Sequence, residues 1–215
     1  MKKTIKRFTP DFFDEEYFEG GTKSLYGKEF PDKTFSSYSE EAYYPRGKEL
    51  ASMYNQIHIL KPDSVVLFIG CAKGFHVGAF RDLGYEAWGM DISHYALHAS
   101  RKQDRGVLIQ ADVIEEPYKS ETFDVLGAFD VLEHVPKKYL ARAISETIRI
   151  VKIGGIIDLQ VPYSEDSPGV HNKDDKSHVS IYQKQYWENK FSRHCRLLWR
   201  GSDKDNCRWF WRKFK

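Results

Sequence analysis

The stretch VVLFIGCAKGF (65–75), followed by GYEAWGMDIS (84–93), decides the fold of this chain. The first part is an apolar, β-branched run that stops at Gly70, as a buried parallel strand does before its chain turns into a helix. The second part repeats the apolar run and ends it at Asp91. Strands that alternate with helices in this way predict a parallel sheet with helices on both faces.

The same alternation continues along most of the chain. Short apolar runs that suit strands are separated by segments whose apolar residues recur at helical spacing. Near the end of the chain, two apolar runs flank the turn Gly201-Ser202-Asp203, which predicts an antiparallel hairpin over 197–214. Strands are predicted at 64–70, 86–92, 106–112, 122–130 and 156–162, and helices at 11–18, 46–60, 75–83, 94–103, 137–151 and within 171–191.

The composition excludes several classes of protein. The 215 residues are 41% hydrophobic and 15% aromatic, which supplies enough apolar surface for a folded core and argues against disorder. No run approaches the ~18 apolar residues of a membrane span, and no apolar segment follows the basic first ten residues as in a secretory signal. Three cysteines without a CxxC pair indicate a reducing compartment, so we expect a cytoplasmic protein.

The charge of the chain is concentrated near its end. The net charge is only +2, but residues 190–215 contain nine Lys or Arg against two Asp, interleaved with aromatic residues. Such a pattern is found in nucleic-acid-binding and membrane-surface segments. A strand with one buried face explains the same alternation. We favour the strand and therefore expect no nucleic-acid partner.

Three strand ends carry residues suited to one nucleoside-like ligand. Gly70 and Gly74 let the backbone approach a ligand closely, and Asp91 can accept both hydroxyls of a ribose. Asp112 ends the third strand, and the carboxyl ends of parallel strands share one crevice. The glycines fit the GxGxxG dinucleotide pattern poorly, since the third is Gly78. An NAD-dependent oxidoreductase and a non-catalytic cofactor- or nucleic-acid-binding module remain alternatives.

Taken together, these motifs resemble those of the class I S-adenosylmethionine-dependent methyltransferases of type 11/12, over roughly residues 62–162. The resemblance implies an α/β three-layer sandwich with a seven-stranded, mostly parallel sheet whose last strand is antiparallel. It also implies a catalytic domain over 61–215, preceded by a lid or helical extension over 1–60. The motifs that carry it are IGCAKG (69–74), Asp91, Ala111-Asp112, FDVLGAFDVLEHV (123–135) and KIGGII (152–157).

The resemblance assigns a set of residues to the cofactor, S-adenosylmethionine, which leaves as S-adenosylhomocysteine. Asp91 would bind the ribose, Asp112 the adenine amino group, and the loop 70–74 the methionine part. Two positions depart from the family pattern, because Phe68 stands where an acidic residue is usual and Ala72 replaces the middle glycine. The full implied set is Gly70, Cys71, Ala72, Gly74, Asp91, Ile92, Asp112, Val113, Ala128, Phe129 and Arg46.

The acceptor is expected beyond the fourth strand, where His134 follows Glu133, with His178 beyond the fifth strand. A neutral histidine can take the proton of an acceptor hydroxyl, so His134 and His178 are the candidate catalytic bases. The expected substrate is a small molecule or a sugar or glycan hydroxyl. The alternative is a divalent metal bound by Asp130, Glu133 and His134, with His171 or His178 as a further ligand. We favour the metal-free base.

Overall fold

The protein is described by a computed structural model over residues 9–19, 38–163, 177–202 and 206–215. Its centre is a seven-stranded sheet with the order β3-β2-β1-β4-β5-β7-β6. The strands are β1 (Val65–Ile69), β2 (Glu86–Asp91), β3 (Leu108–Gln110), β4 (Phe123–Phe129), β5 (Val151–Pro162), β6 (Cys195–Ser202) and β7 (Asn206–Lys213).

Helices lie on both faces of this sheet, as the alternating pattern predicts. None of the helices within the described ranges is long and apolar enough to cross a membrane. The α-helices are α1 (Glu15–Phe18), α2 (Glu40–Gln56), α3 (Phe75–Asp82), α4 (His94–His98), α5 (Lys137–Arg149) and α6 (Lys184–Phe191), with short 3-10 helices at Pro10–Phe12, Lys102–Val107 and Leu132–His134.

Strands β1 to β5 run parallel, so their carboxyl ends meet at one edge of the sheet. Ile69 pairs with both Met90 of β2 and Ala128 of β4, and Asp91 pairs with Gln110 of β3. Strand β7 is antiparallel and lies between β5 and β6. The predicted seven-stranded sheet with an antiparallel last strand is therefore confirmed.

Helix α2 begins earlier than the apolar spacing predicted. It starts at Glu40 rather than at position 46, because the hydroxyl of Ser39 caps it by accepting a hydrogen bond from the Ala42 N–H at 3.3 Å. Pro45 therefore lies inside the helix, where its missing N–H leaves one carbonyl without a helical partner. Pro45 is exposed, so water can reach that carbonyl.

Other boundaries also differ from the prediction. The helix expected over 94–103 ends at His98 and is followed by the 3-10 helix Lys102–Val107, which shortens the next strand to Leu108–Gln110. Strand β5 starts at Val151 instead of 156, because an irregular pairing with β4 lets the strand continue through Gly154, whose φ is +84°.

The core has one layer on each face of the sheet. On one face, α5 buries Leu140 and Ile144 against the strands, in the same cluster as Trp187 of α6. On the other face, Tyr54 of α2 and Phe80 of α3 pack against β1 and β4. The two layers fix the strands from both sides and leave their carboxyl ends as the open edge.

Candidate functional site

A cavity lies at the carboxyl ends of β1 to β4. Its floor is formed by the loop after β1 and the last residues of β2 and β4. Its cover includes Phe13, Tyr17 and Phe18 of the amino-terminal segment, together with Tyr38 and Tyr43. The cavity therefore coincides with the edge of the sheet where the sequence predicted a ligand.

The loop after β1 is held in a left-handed backbone conformation at three positions. Gly70, Ala72 and Gly74 have φ values of +59°, +49° and +73°. A Cβ atom at Gly70 would lie 2.3 Å from Cγ2 of Val131, and one at Gly74 would lie 2.6 Å from Cδ1 of Leu108. Glycine is needed at both positions for space and conformation, whereas Ala72 adopts a conformation that costs a non-glycine residue energy.

Asp91 ends β2 and is almost fully buried in the cavity wall. One carboxylate oxygen accepts a hydrogen bond from the Ala72 N–H at 2.8 Å, and the other accepts one from the Ser93 N–H at 2.8 Å. Burial raises the pKa of Asp91, and the backbone N–H donors partly oppose that shift. A carboxylate offers about four acceptor positions, so two backbone donors leave capacity for two hydroxyl groups.

The end of β3 adds a second carboxylate to the same wall. Asp112 accepts a hydrogen bond from the Ile114 N–H at 2.9 Å, which fixes the turn that follows the strand. The Ala111 N–H donates to the backbone oxygen of Asp91 at 3.0 Å and so ties this turn to the end of β2. Val113 and Ile114 line the cavity beside Asp112 and give it an apolar surface that suits a flat ring.

The opposite end of the cavity is aromatic rather than acidic. Phe68 is buried, and its ring centroid lies 5.7 Å from that of His76 and 6.2 Å from that of Phe129. Burial, together with the smaller effects of the nearby Arg46 and Arg208 guanidinium groups, lowers the pKa of His76 to about 4, so His76 is neutral near pH 7. Any group bound at this end therefore meets neutral rings at Phe68, the position where the resemblance implies an acidic residue.

Asp130 supplies a negative charge near that end. It follows β4 with a φ of +53°, and its carboxylate accepts a hydrogen bond from the Gln160 side chain at 3.1 Å. Asp130 lines the cavity and is close enough to Tyr43 to raise the pKa of that phenol, although burial is the larger cause.

The predicted cofactor residues divide into two groups. Gly74, Ala128 and Arg46 do not line the cavity: Gly74 faces Leu108, Ala128 is buried in the core, and the Arg46 guanidinium lies 5.1 Å from the Tyr43 ring centre. Their contact with a cofactor remains a prediction. The predicted residues that do line the cavity are Gly70, Cys71, Ala72, Asp91, Ile92, Asp112, Val113 and Phe129.

The two predicted bases lie next to each other. The rings of His134 and His178 have centroids 4.9 Å apart, and both Nε2 atoms are near the same Glu133 oxygen, at 3.9 Å and 4.0 Å. His134 lines the cavity, whereas His178 does not. Asp130 is not part of this group, and His171 lies outside the described residues.

Sequence reasoning missed how Lys73 and the amino-terminal segment interact. Lys73 of the loop is largely buried and forms an ion pair with Glu19, and the Ser93 hydroxyl donates a hydrogen bond to the backbone oxygen of Phe13. Phe13 and Tyr17 also contact the His134 ring. The aromatic spacing of DFFDEEYF (11–18) indicated a packed segment, but nothing in it identified these partners. Residues 20–37 of the lid or extension predicted over 1–60 lie outside the described residues.

Comparison with known proteins identifies methyltransferases as similar to part of this chain. Residues 67–158 match the family model described as a methyltransferase domain. An uncharacterised methyltransferase of Mycobacterium avium is 27% identical over 94 residues, which are 42% of this chain and 36% of that protein. A sterol 24-C-methyltransferase of Gibberella zeae is 29% identical over 108 residues, which are 45% of this chain and 27% of that protein. The matches therefore span well under half the length of these relatives.

A solved structure extends the likeness beyond the matched segment. A SAM-dependent methyltransferase from Archaeoglobus fulgidus superposes with a TM-score of 0.62 at 15% identity, over 81% of this chain and 95% of that chain. At this identity the superposition shows a shared Rossmann-like fold and nothing finer.

Proposed function

We propose that this chain, a member of the class I S-adenosylmethionine-dependent methyltransferases, methylates a hydroxyl oxygen of a small molecule or glycan. The family membership predicted from the sequence is confirmed by the family model and by the relatives named methyltransferase. The identity of the acceptor atom and the residues of the site are the parts proposed here.

One observation supports the cofactor site above the others. The Asp91 carboxylate is held by the N–H of Ala72, so the ribose acceptor and the loop that would contact the methionine part are joined directly. A ligand that contacts both Asp91 and the loop would therefore find the two held in a fixed relative position. Asp112, tied to Asp91 through the backbone of Ala111, extends this arrangement toward an adenine ring.

The protein contributes mainly alignment to the proposed reaction. The bound cofactor supplies a methyl group on a sulfonium centre, which an acceptor oxygen can attack in line without further activation of the donor. Holding the two reactants in this geometry can lower the barrier by up to ~7–11 kcal/mol. The cover that includes Phe13, Tyr17 and Phe18 would reduce the access of water to the reactants.

The position of His134 favours oxygen as the acceptor atom. His134 lines the cavity, where it could meet an acceptor hydroxyl, whereas His178 does not line it. Methylation of a hydroxyl oxygen requires removal of its proton, which a nearby imidazole or a charged group can assist. The sterol methyltransferase among the relatives acts on a carbon, so carbon methylation is the competing outcome of the test.

Two measurements test this proposal. Calorimetric titration with S-adenosylhomocysteine, S-adenosylmethionine and NAD⁺ should give binding of the first two only. A screen with methyl-labelled cofactor against hydroxylated small molecules and glycans should then give a product labelled on oxygen. Binding of NAD⁺ alone, or of none of the three, would contradict the cofactor assignment, and a product labelled on carbon would contradict the acceptor assignment.

A further inference from the structure

We propose that Glu133, His134 and His178 form a binding site for one divalent transition-metal ion in the wall of the cavity. The three side chains each offer a donor atom, and these atoms all lie within 4.8 Å of one another. The Nε2 atoms of His134 and His178 are 3.9 Å and 4.0 Å from the same Glu133 oxygen.

The distances fit a site that needs only a small contraction to hold an ion. Donor atoms that bind one ion at ~2.0–2.2 Å lie about 3–3.5 Å from one another. The two Glu133–histidine separations exceed the lower value by at most ~1 Å, and the widest donor separation, within 4.8 Å, exceeds it by at most ~2 Å. Side-chain rotation can supply this contraction. Two imidazoles and one carboxylate grouped on one side of an ion leave its remaining positions open.

Backbone contacts hold the two histidine-bearing segments together. The backbone oxygen of Glu133 accepts hydrogen bonds from the N–H groups of Val179 and Ser180, both at 2.9 Å. The Ser180 hydroxyl donates to the backbone oxygen of Val135. These bonds fix the segment that carries His178 against the segment that carries Glu133.

The orientation of His134 suits a metal ligand. Its Nδ1 atom lies 3.2 Å from the backbone oxygen of Ser177, which can only accept, so Nδ1 carries the proton. The lone pair of the neutral ring is then on Nε2, the atom that faces Glu133. A hydrogen bond from the far nitrogen to a backbone oxygen is the usual way in which proteins orient a metal-bound histidine.

The burial of Glu133 also favours a bound metal ion. Its side chain is fully buried, and an ionised carboxylate is costly to bury unless a positive charge or several donors compensate it. A divalent ion between the Glu133 oxygen and the two Nε2 atoms would supply such a positive charge. Protonation of one histidine would also compensate the carboxylate, and this histidine–carboxylate pair is the competing explanation.

The donor set indicates which ions would bind. Imidazole suits zinc, iron and related ions, whereas magnesium and calcium prefer oxygen ligands throughout. We therefore expect Co²⁺, Zn²⁺, Mn²⁺ or Fe²⁺ to bind more tightly than Mg²⁺. The structure adds to the sequence that one oxygen of the buried Glu133 lies near the Nε2 atoms of both histidines.

The consequence for chemistry rests on the proposed function. Because His134 lines the cavity, an ion on its Nε2 side would border the space available to the acceptor. An acceptor hydroxyl bound to that ion would lose its proton to solvent more readily, because the ion lowers its pKa. As the oxygen–methyl bond forms, the electron pair of the sulfur–methyl bond stays on sulfur. His134 and His178 would then act as ligands.

A second histidine pair must be removed before metal binding is measured. His94 and His98 are exposed, lie four residues apart on α4, and have stacked rings 6.1 Å apart. Such a pair can bind ions weakly at the surface. The untagged variant His94→Ala/His98→Ala therefore serves as the reference protein, and it keeps Glu133, His134 and His178.

The experiment titrates the reference protein with Co²⁺ and follows visible absorption and calorimetric heat. We expect one ion per chain, and a fall in affinity for Glu133→Gln and His178→Ala greater than the ~10–100-fold that loss of a supporting residue costs. The control His194→Ala should bind as the reference does. Each variant is first checked by circular dichroism, and pulsed electron paramagnetic resonance of bound Mn²⁺ in the reference protein should detect two imidazole nitrogens.

The outcomes separate this inference from the proposed function. Absence of stoichiometric binding, affinity unchanged in Glu133→Gln, or a Mn²⁺ signal without imidazole nitrogen would overturn the metal site and favour the histidine–carboxylate pair. S-Adenosylhomocysteine is titrated into the same samples. Its failure to bind, beside intact Co²⁺ binding, would contradict the methyltransferase proposal while leaving the metal site standing.

Discussion

The backbone N–H of Ala72 donates a 2.8 Å hydrogen bond to the carboxylate of Asp91. This bond joins the loop after β1 to the end of β2, and it is made while Ala72 holds a φ of +49°. The left-handed conformation costs an alanine roughly 1–2 kcal/mol. The loop therefore stores strain at the residue that positions the proposed ribose acceptor.

Ala72→Gly should stabilise the protein, because glycine adopts this φ without strain. The greater freedom of glycine in the unfolded chain offsets part of the gain, so we expect an increase of about 0.5–1 kcal/mol in the free energy of unfolding. Urea denaturation measures it. The matched control is Ala141→Gly at an exposed position of α5, which should lose about 1 kcal/mol. A loss of stability in Ala72→Gly as well would show that the loop is not strained.

Asp91→Asn should weaken the binding of S-adenosylhomocysteine. The amide keeps one acceptor oxygen, but the N–H groups of Ala72 and Ser93 both need one, so little remains for a ligand. Loss of a hydrogen bond to a charged group costs about 1.5–3 kcal/mol, or roughly 10–150-fold in affinity. Calorimetric titration at pH 7.5 measures this, with Asp63→Asn, exposed before β1, as the control. Equal affinity in a folded Asp91→Asn protein would remove Asp91 from the site.

The sequence predicted the sheet well because its evidence was local. Each strand is an apolar run, and glycine, aspartate or a turn marks its end, so the order of elements could be deduced without long-range contacts. The reason why Phe68 occupies its position could not be deduced from the neighbouring sequence. In the structure a Cβ at Gly127 on the neighbouring strand would lie 2.7 Å from Cδ1 of Phe68. The ring therefore fills space that a residue almost sixty positions away leaves open.

The acceptor side shows the same limit. Glu133 and His134 are adjacent in the sequence. Whether His178 lies near them depends on how the segment after β5 returns to the sheet. That return is fixed by backbone hydrogen bonds to Glu133, which no side-chain pattern reveals. Asp130 was considered with this group from spacing alone, yet its left-handed backbone turns it toward Gln160 instead.

Glu116→Gln should remove a loss of stability that wild type shows as pH rises. Burial, together with the smaller effect of the nearby Glu146, raises the pKa of Glu116 to about 8. Between the ordinary pKa of about 4.5 and about 8, the folded state keeps a proton that the unfolded state has released, so unfolding becomes easier as pH increases. The contribution is at most about 1.4 kcal/mol per pH unit within this window.

The measurement for Glu116 is the free energy of unfolding in urea at pH 5 to 8, as the difference between variant and wild type. Taking the difference is necessary because His76, with its pKa lowered to about 4, contributes the opposite slope below about 6.5. We expect the free energy of unfolding of the variant, minus that of wild type, to increase steadily as pH rises. A difference that stays constant over this range would mean that Glu116 ionises normally in the folded protein.

The last prediction concerns the buried ion pair that joins β5 to β7. Asp158 is fully buried, and it accepts hydrogen bonds from the Arg208 guanidinium, one of them at 2.7 Å, and from the Tyr54 hydroxyl at 2.6 Å. Burial raises the pKa of Asp158, while Arg208 and Tyr54 favour its charged form. Arg208→Met should therefore lose about 3–5 kcal/mol, because it leaves a buried carboxylate without its cation. Adding Asp158→Asn should restore part of that loss, since the amide needs no counter-charge. Urea denaturation of both single variants and the double variant gives the coupling energy. If the two effects simply add, the pair does not stabilise the fold, and the insertion of β7 between β5 and β6 must depend on its apolar face alone.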